Sequence, residues 1–593
     1  MRRLVLGSLV ALGLSTAAPR DAEAFCGFFV APGDKPLYND ATMVALMREG
    51  TRTALTMSNT YKGPAADFAM VVPVPVVLQK ENVRVLNKSV FTRLETLSAP
   101  RLVEYWEQDP CNPYPPPQAM PAPPTKPTAV MKSGGAGADK DYGVKIEAKF
   151  EVGEYQILVL SAKQSDGLES WLHDNKYNIP KGASTALAPY IKEQMKFFVA
   201  KIDVKKVQMD AQGVAQLSPL RFHYETNDFR LPVRLGLLNA QGRQDLIIFT
   251  LSKQSRYEVA NYPNVFIPTN LEVSDDTRKS FAPFYAALFD EAVNKGQGKG
   301  IVTEYAWTTP FFSYGGGMKC DPCPPEPLTD NNDLAALGGD VLLGMGAPPP
   351  PPLPPQPPPG PGAPKPMPMP SKPMPPWGGG WGGGFNMVLT RLHARYDSTS
   401  LTDDLVFKTA DAIVGGREHV VDDKGAIEKG AQPAPQNNFQ ARYIIRHAWT
   451  GAIKCKNPQR GIWGGPPGTW GAPPPPAPAK GLASVPRGAI KLASFLKAGM
   501  PAFDVKMPGP LAIPPPAVPS SSTTEDAGAP ASSAEVDASV PPVASASAAP
   551  SVAPVEPSSR GCGCSIPGGA GSAVGFGATG VALAIGLARR RRR

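Results

Sequence analysis

The sequence predicts an α+β protein whose β-rich body pairs largely antiparallel, and three observations carry that expectation. Short apolar or alternating runs bounded by Gly, Pro, Asn and Asp recur between residues 43 and 450, the pattern of strands. Stretches with helical apolar spacing fall among them without the regular strand-helix-strand alternation of a parallel sheet. The proline excess is local: of 71 prolines in 593 residues, most lie in windows 110–127, 348–376, 458–478 and 508–557, and the rest of the chain has ordinary composition. Proline runs of this kind form polyproline II spacers and do not pack into a core. The expected architecture is therefore an α+β body interrupted by proline-rich disordered linkers, with a single C-terminal transmembrane helix.

Taken in order, residues 43–48 and 52–60 flank Glu49-Gly50 and read as a β-hairpin. Residues 68–77 contain Pro73 and Pro75, which suits an edge strand because proline cannot donate to a ladder. Val90, Phe91, Leu94 and Leu97 give residues 89–99 a helical stripe. Residues 144–150 and 155–160 form a second strand pair, and 166–173 and 189–198 read as helices. Strands are expected at 198–209, 220–225, 233–238 and 246–251, then at 385–396, 404–408 and 440–450.

The domain plan that follows is a signal peptide at 1–24 and an α+β body at 25–346 with a proline-rich excursion at 110–127. A Pro/Gly-rich linker at 347–384 leads to a small β-rich block at 385–506, with a Pro/Gly-rich loop at 458–478. A Pro/Ala/Ser stalk at 507–560 and a tail at 561–593 complete it.

The two ends are read as addresses. Arg2 and Arg3 precede an apolar run at 4–14 and a small-x-small site at Ala22-Glu23-Ala24, the layout of a secretory signal peptide. Residues 568–588 carry no charge and are followed by Arg589 to Arg593, so the span is long enough for a bilayer and the arginines stay cytoplasmic. Those five arginines supply most of the formal charge of +9. No Lys/Arg stripe stands out in the body, which argues against nucleic acid as a partner.

In an oxidising compartment Cys26, Cys111, Cys320, Cys323 and Cys455 are disulfide candidates, with one left over. No zinc-protease, nucleophile-elbow, Walker or complete EF-hand motif occurs, so neither a catalytic residue nor a cofactor is assigned. A metal site would have to come from His393, His419 and His447. On a strand at 440–450, Ala441, Tyr443, Ile445, His447 and Trp449 share one face, which reads as core-facing and makes His447 a satisfied core residue. Trp377 and Trp381 in a WGGGWGGG run could stack on sugar rings, or simply pack back onto the body as buried tryptophans do.

Two resemblances add to this reading. Cys562-Gly563-Cys564, the weak apolar span and the terminal arginines resemble the Myxo-CTERM sorting signal of myxobacterial surface proteins. That resemblance implies cleavage by a membrane-embedded processing protease and anchoring through Cys562 or Cys564. Along the body, Phe25-Cys26-Gly27-Phe28-Phe29-Val30, Phe68 to Pro75 in FAMVVPVP, and Leu389 to Tyr396 in LTRLHARY resemble the domain of unknown function 2330 family of exported bacterial proteins. It implies an extracytoplasmic location and no activity. The expectation is thus an exported protein, held in the inner membrane by its tail before processing and at the outer-membrane surface or outside the cell afterwards. It would bind an envelope polysaccharide or protein, or serve a structural role there; the alternative is an envelope hydrolase or metal-dependent enzyme.

Overall fold

The computed structural model describes, isolated positions aside, residues 28–30, 38–62, 68–112, 144–175, 182–203, 214–239, 242–310, 331–346, 386–417, 427–466 and 490–509. The chain divides into two units, Met1–Pro514 and Pro515–Arg593, and every described residue belongs to the first. The signal peptide, the stalk from residue 510 onward and the tail with its span at 568–588 lie outside the described residues. Among the described residues no helix is long and apolar enough to cross a membrane.

Strands dominate, as expected. The hairpin forms from Tyr38–Glu49 and Arg52–Lys62, with Gly50 at φ 58° supplying the left-handed turn that a side chain would resist. It joins a long sheet in which Gln244–Ser252 runs parallel to Tyr38–Glu49, and Asn386–Tyr396 lies antiparallel between Gln244–Ser252 and Ile301–Pro310. A second, antiparallel sheet is ordered Phe28–Val30, Phe68–Val74, Lys196–Ile202, Tyr155–Ala162, Val144–Val152. The two sheets meet face to face: Met70, Val72, Ile157, Val159, Phe198 and Ala200 pack with Val44, Leu46, Leu55, Ile248 and Leu392.

The outer faces are covered by helices. Ser165–Asp174 and Ala183–Lys192 set Leu168, Trp171, Leu187 and Tyr190 on the second sheet. Ser89–Ser98 sets Val90, Phe91, Leu94 and Leu97 on the long sheet, beside Leu334, Leu337 and Leu342 of a kinked helical segment at 331–342. That segment is held by Arg221, which donates to Asp340 at 2.7 Å, by Arg84 on the same carboxylate and by Arg93 on Asp333. Gly338 within it has φ 133°, and a Cβ there would meet the Ala54 Cβ at 2.5 Å, so only glycine fits.

Several expectations need correction. The expected edge strand at 68–77 ends at Val74 and is flanked on both sides over 69–71; beyond that point Phe28–Val30 no longer reaches it, which leaves Pro73 room on that side. The expected helix at 189–198 is the end of Ala183–Lys192, with Pro189 inside it, followed by the strand Lys196–Ile202. The expected strand at 233–238 is the 3-10 helix Arg234–Asn239, because the Asp404 carboxylate accepts the Val233 N–H at 3.0 Å and draws the backbone into a turn. The helix Phe281–Lys295 and the strand Ile301–Pro310 had not been anticipated. The block at 385–506 does not stand apart from the body either: Asn386–Tyr396 lies inside the long sheet, and Leu405–Ala410 pairs with Arg256–Val259. The expected strand at 440–450 is two, Asn438–Gln440 and Arg442–His447, which change sheets at Ala441.

That change builds a small, partly parallel sheet. Leu271–Glu272, Arg442–His447 and Arg101–Glu107 run parallel, and Trp463–Gly464 adds antiparallel. Phe281–Lys295 covers it, packing Phe281, Phe284 and Leu288 against Leu102, Tyr443 and Ile445.

Candidate functional site

Two clusters of chemistry-bearing side chains stand out, each centred on a histidine. The first lies within the long sheet. On Asn386–Tyr396 the alternation of the strand puts Arg391, His393 and Arg395 on one face, opposite the face that Leu392, Ala394 and Tyr396 bury in the core between the sheets. Three cations in a row on a buried face demand anions. Arg395 sits directly across from Asp245 and donates to it at 2.5 Å. Glu304 is the extra residue of a β-bulge, where the register of Ile301–Pro310 against Asn386–Tyr396 slips between Thr303 and Tyr305. The bulge turns its carboxylate onto His393 and Arg391.

The His393 ring is held on both nitrogens, with Nδ1 2.8 Å from Glu304 Oε1 and Nε2 3.2 Å from Asp245 Oδ1, and it stacks on Phe289 at 3.9 Å. Tyr285 donates to Glu304 at 2.6 Å, Arg391 also reaches Glu95, and Arg487 bridges Asp245 and Asp290. Burial alone would neutralise these groups, but their mutual charges win. Burial pushes the His393 pKa down, yet the Glu304 and Asp245 carboxylates raise it above its ordinary value. Burial pushes Glu304 up, yet His393 and Arg391 pull it down to about 2. His393 is 1 % exposed and Glu304 fully buried. The charges therefore neutralise one another, out of reach of a substrate.

The second cluster stands at the carboxyl ends of the parallel strands, the place where open α/β sheets hold ligands. Glu104 and Trp106 of Arg101–Glu107 pair in register with Ile445 and His447. Ile445 is buried in the core, whereas the His447 ring two residues further on is 20 % exposed. His447 stacks on Trp106 at 4.5 Å, sets Nε2 3.0 Å from Glu104 and Nδ1 3.9 Å from Asp275. Arg278 forks onto Glu104 at 2.7 and 2.5 Å. Those bonds, with help from His447 and against the opposing effect of partial burial, hold the Glu104 carboxyl below the usual range. On the other face of the sheet Arg442 lies over Tyr105, and Arg446 over Trp463 at 4.9 Å.

The loop at 448–461 is stitched to the end of Arg101–Glu107. Glu107, 5 % exposed, accepts the Trp449 and Gly461 N–H groups at 3.0 Å each. A disulfide joins Cys111 to Cys455, and Gln108 and Gln459 add backbone bonds to Ile462 and Pro110.

Of the residues singled out by sequence, Cys111 and Cys455 meet, while Cys26, Cys320, Cys323, Cys562, Cys564, His419, Trp377 and Trp381 lie outside the described residues. His393 and His447 occupy different clusters. His447 is not the core residue expected: the apolar face of its strand ends before it. Among the described residues no group of His, Cys, Asp and Glu is arranged to hold a metal ion. Sequence reasoning passed over Glu304, Asp245, Glu104, Arg278 and Trp106. The alternating cations of LTRLHARY were the available signal for the first two; nothing local marked the others, which come from distant segments.

A model of the family described as "Uncharacterized protein conserved in bacteria (DUF2330)" matches residues 20–408. No curated protein matches, and no solved structure does.

Proposed function

The chain belongs to the DUF2330 family of uncharacterized proteins conserved in bacteria, and on that premise we propose that it is an exported, envelope-tethered binding protein without catalytic activity. It would be led out by residues 1–24, held by its tail through Cys562 or Cys564, and recognise an envelope polysaccharide or protein at the cluster around His447. The observation that carries the reading is the state of Glu104. A carboxylate gripped by Arg278 and His447 and held below the usual range is a poor proton donor or acceptor at neutral pH, whereas a fixed anion beside a partly exposed indole and imidazole suits recognition. The Cys111–Cys455 disulfide supports residence in an oxidising compartment.

The test is co-sedimentation of the full chain with envelope polysaccharide and protein fractions, comparing Trp106→Ala and Glu104→Gln with the parent. Binding weakened tenfold or more by both supports the reading. Turnover of an envelope polymer abolished by Glu104→Gln, or stoichiometric zinc lost on His447→Ala, would replace it with the hydrolase or metal-enzyme alternative. Thiol-blocking and fractionation of cells expressing Cys562→Ala and Cys564→Ala chains test the tether: release from the membrane by either supports it.

A further inference from the structure

We propose that the loop at 448–461 docks onto an anionic lipid surface, a contact that rests on the envelope location proposed above. Ile453 is 45 % exposed, and Met507 is the other large hydrophobic in that state among the described residues. Lys454 and Lys456 beside it are exposed and meet no carboxylate among the described residues, and residues 448–461 contain no Asp or Glu. Between the lysines, Cys455 is bonded to Cys111 and its N–H points to the Cys111 sulfur at 3.1 Å, so the tip is fixed in place before any partner arrives.

The chemistry selects the partner. An aliphatic tip gains nothing from a hydrated glycan, and lysines that meet no carboxylate favour phosphate. A bilayer offers hydrocarbon to Ile453 and phosphates to Lys454 and Lys456 together, with the partly exposed Trp449 near the loop's start suited to the headgroup level. One such loop binds a membrane weakly by itself. On a chain already tethered by its tail, the contact becomes intramolecular and its effective concentration rises.

The test is hydrogen exchange of residues 448–461 in the full chain reconstituted in phosphatidylcholine vesicles, with and without phosphatidylglycerol. Exchange at least fivefold slower with phosphatidylglycerol, restored by high salt, supports docking. K454Q/K456Q, which removes both charges, should weaken the contact roughly 30-fold, each lysine contributing about 1 kcal/mol near an anionic surface; I453S should abolish the protection while leaving the thermal midpoint unchanged. Equal exchange on both vesicle types, or protection by free inorganic phosphate or soluble glycan instead, would overturn the proposal. Mislocalisation in cells would count against the proposed export and leave this vesicle result intact.

Discussion

His393 and His447 are built from the same parts and differ in their access to water. Each has a carboxylate on one ring nitrogen, at 2.8 and 3.0 Å, a second carboxylate toward the other, at 3.2 and 3.9 Å, and an aromatic ring beneath, at 3.9 and 4.5 Å. His393 is 1 % exposed and closed in by Phe289 and its ion pairs, while His447 is 20 % exposed at a strand end. Buried, such a constellation fastens strands together, because any missing member strands a charge away from water. At the surface the same parts cost little to rearrange and are free to exchange a partner for a ligand. His393, its two carboxylates and Phe289 lie within the span matched by the family, 20–408, whereas Arg487, His447 and Cys455 lie beyond it.

The largest effect expected is on the buried side. Glu304→Ala leaves His393 and Arg391 without their shared anion and should cost about 3–5 kcal/mol, as breaking a buried ion pair does. Urea unfolding monitored by tryptophan fluorescence measures it. A loss under 1 kcal/mol would mean that water or a neighbouring carboxylate replaces Glu304 and that the network does not fasten the sheet.

Next comes the covalent link at the edge of the exposed cluster. Cys455→Ser should cost about 2–4 kcal/mol through freedom regained by the unfolded chain. It should also speed hydrogen exchange across residues 448–461 while leaving the strand Asn386–Tyr396 protected, which would separate the two regions directly.

How far the sequence exposed this arrangement differs between the regions. The hairpin at Gly50, the helix at 89–98 and the strand Leu220–Glu225 were legible because local periodicity and turn chemistry agree there. The helix Phe281–Lys295 was not, since it is apolar on several sides and lacks a narrow stripe, being packed by the small sheet and the loops around it. His393 drew notice as one of five histidines, but Glu304 owes its position to a bulge, which no residue pattern announces. The exposed cluster joins residues 104, 106, 278 and 447: the pairing of Arg442–His447 with Arg101–Glu107 brings three of them together, and the 3-10 helix Asp275–Lys279 adds Arg278.

The pH dependence of stability should be smaller, and it belongs to the buried region. Glu304 is lowered from 4.5 to about 2, so its contribution is present above pH 4.5 and is lost as pH falls toward 2. His393 is raised above 6.5, so its contribution is full below 6.5 and is lost as pH rises through the raised value. The network therefore stabilises most between pH 4.5 and 6.5, and on the order of 3 kcal/mol should disappear on the acid side. Urea midpoints at a series of pH values should trace this window in the parent chain and flatten in Glu304→Gln; an unchanged acid limb in that variant would assign the effect to other carboxylates.

Glu104→Gln should change stability least, by less than about 1 kcal/mol, because Arg278 is half exposed and water can take over its side of the pair. The consequence for function runs the other way. If the exposed cluster recognises a ligand, this substitution removes the fixed anion that Arg278 and His447 surround, and binding should fall tenfold or more with the urea midpoint almost unmoved. A protein that lost stability and binding in proportion would show that Glu104 fastens its sheet as Glu304 does. The distinction between the two histidine clusters would then rest on exposure without consequence, since the difference predicted here requires that solvent access separate the energetic cost of a pair from its use.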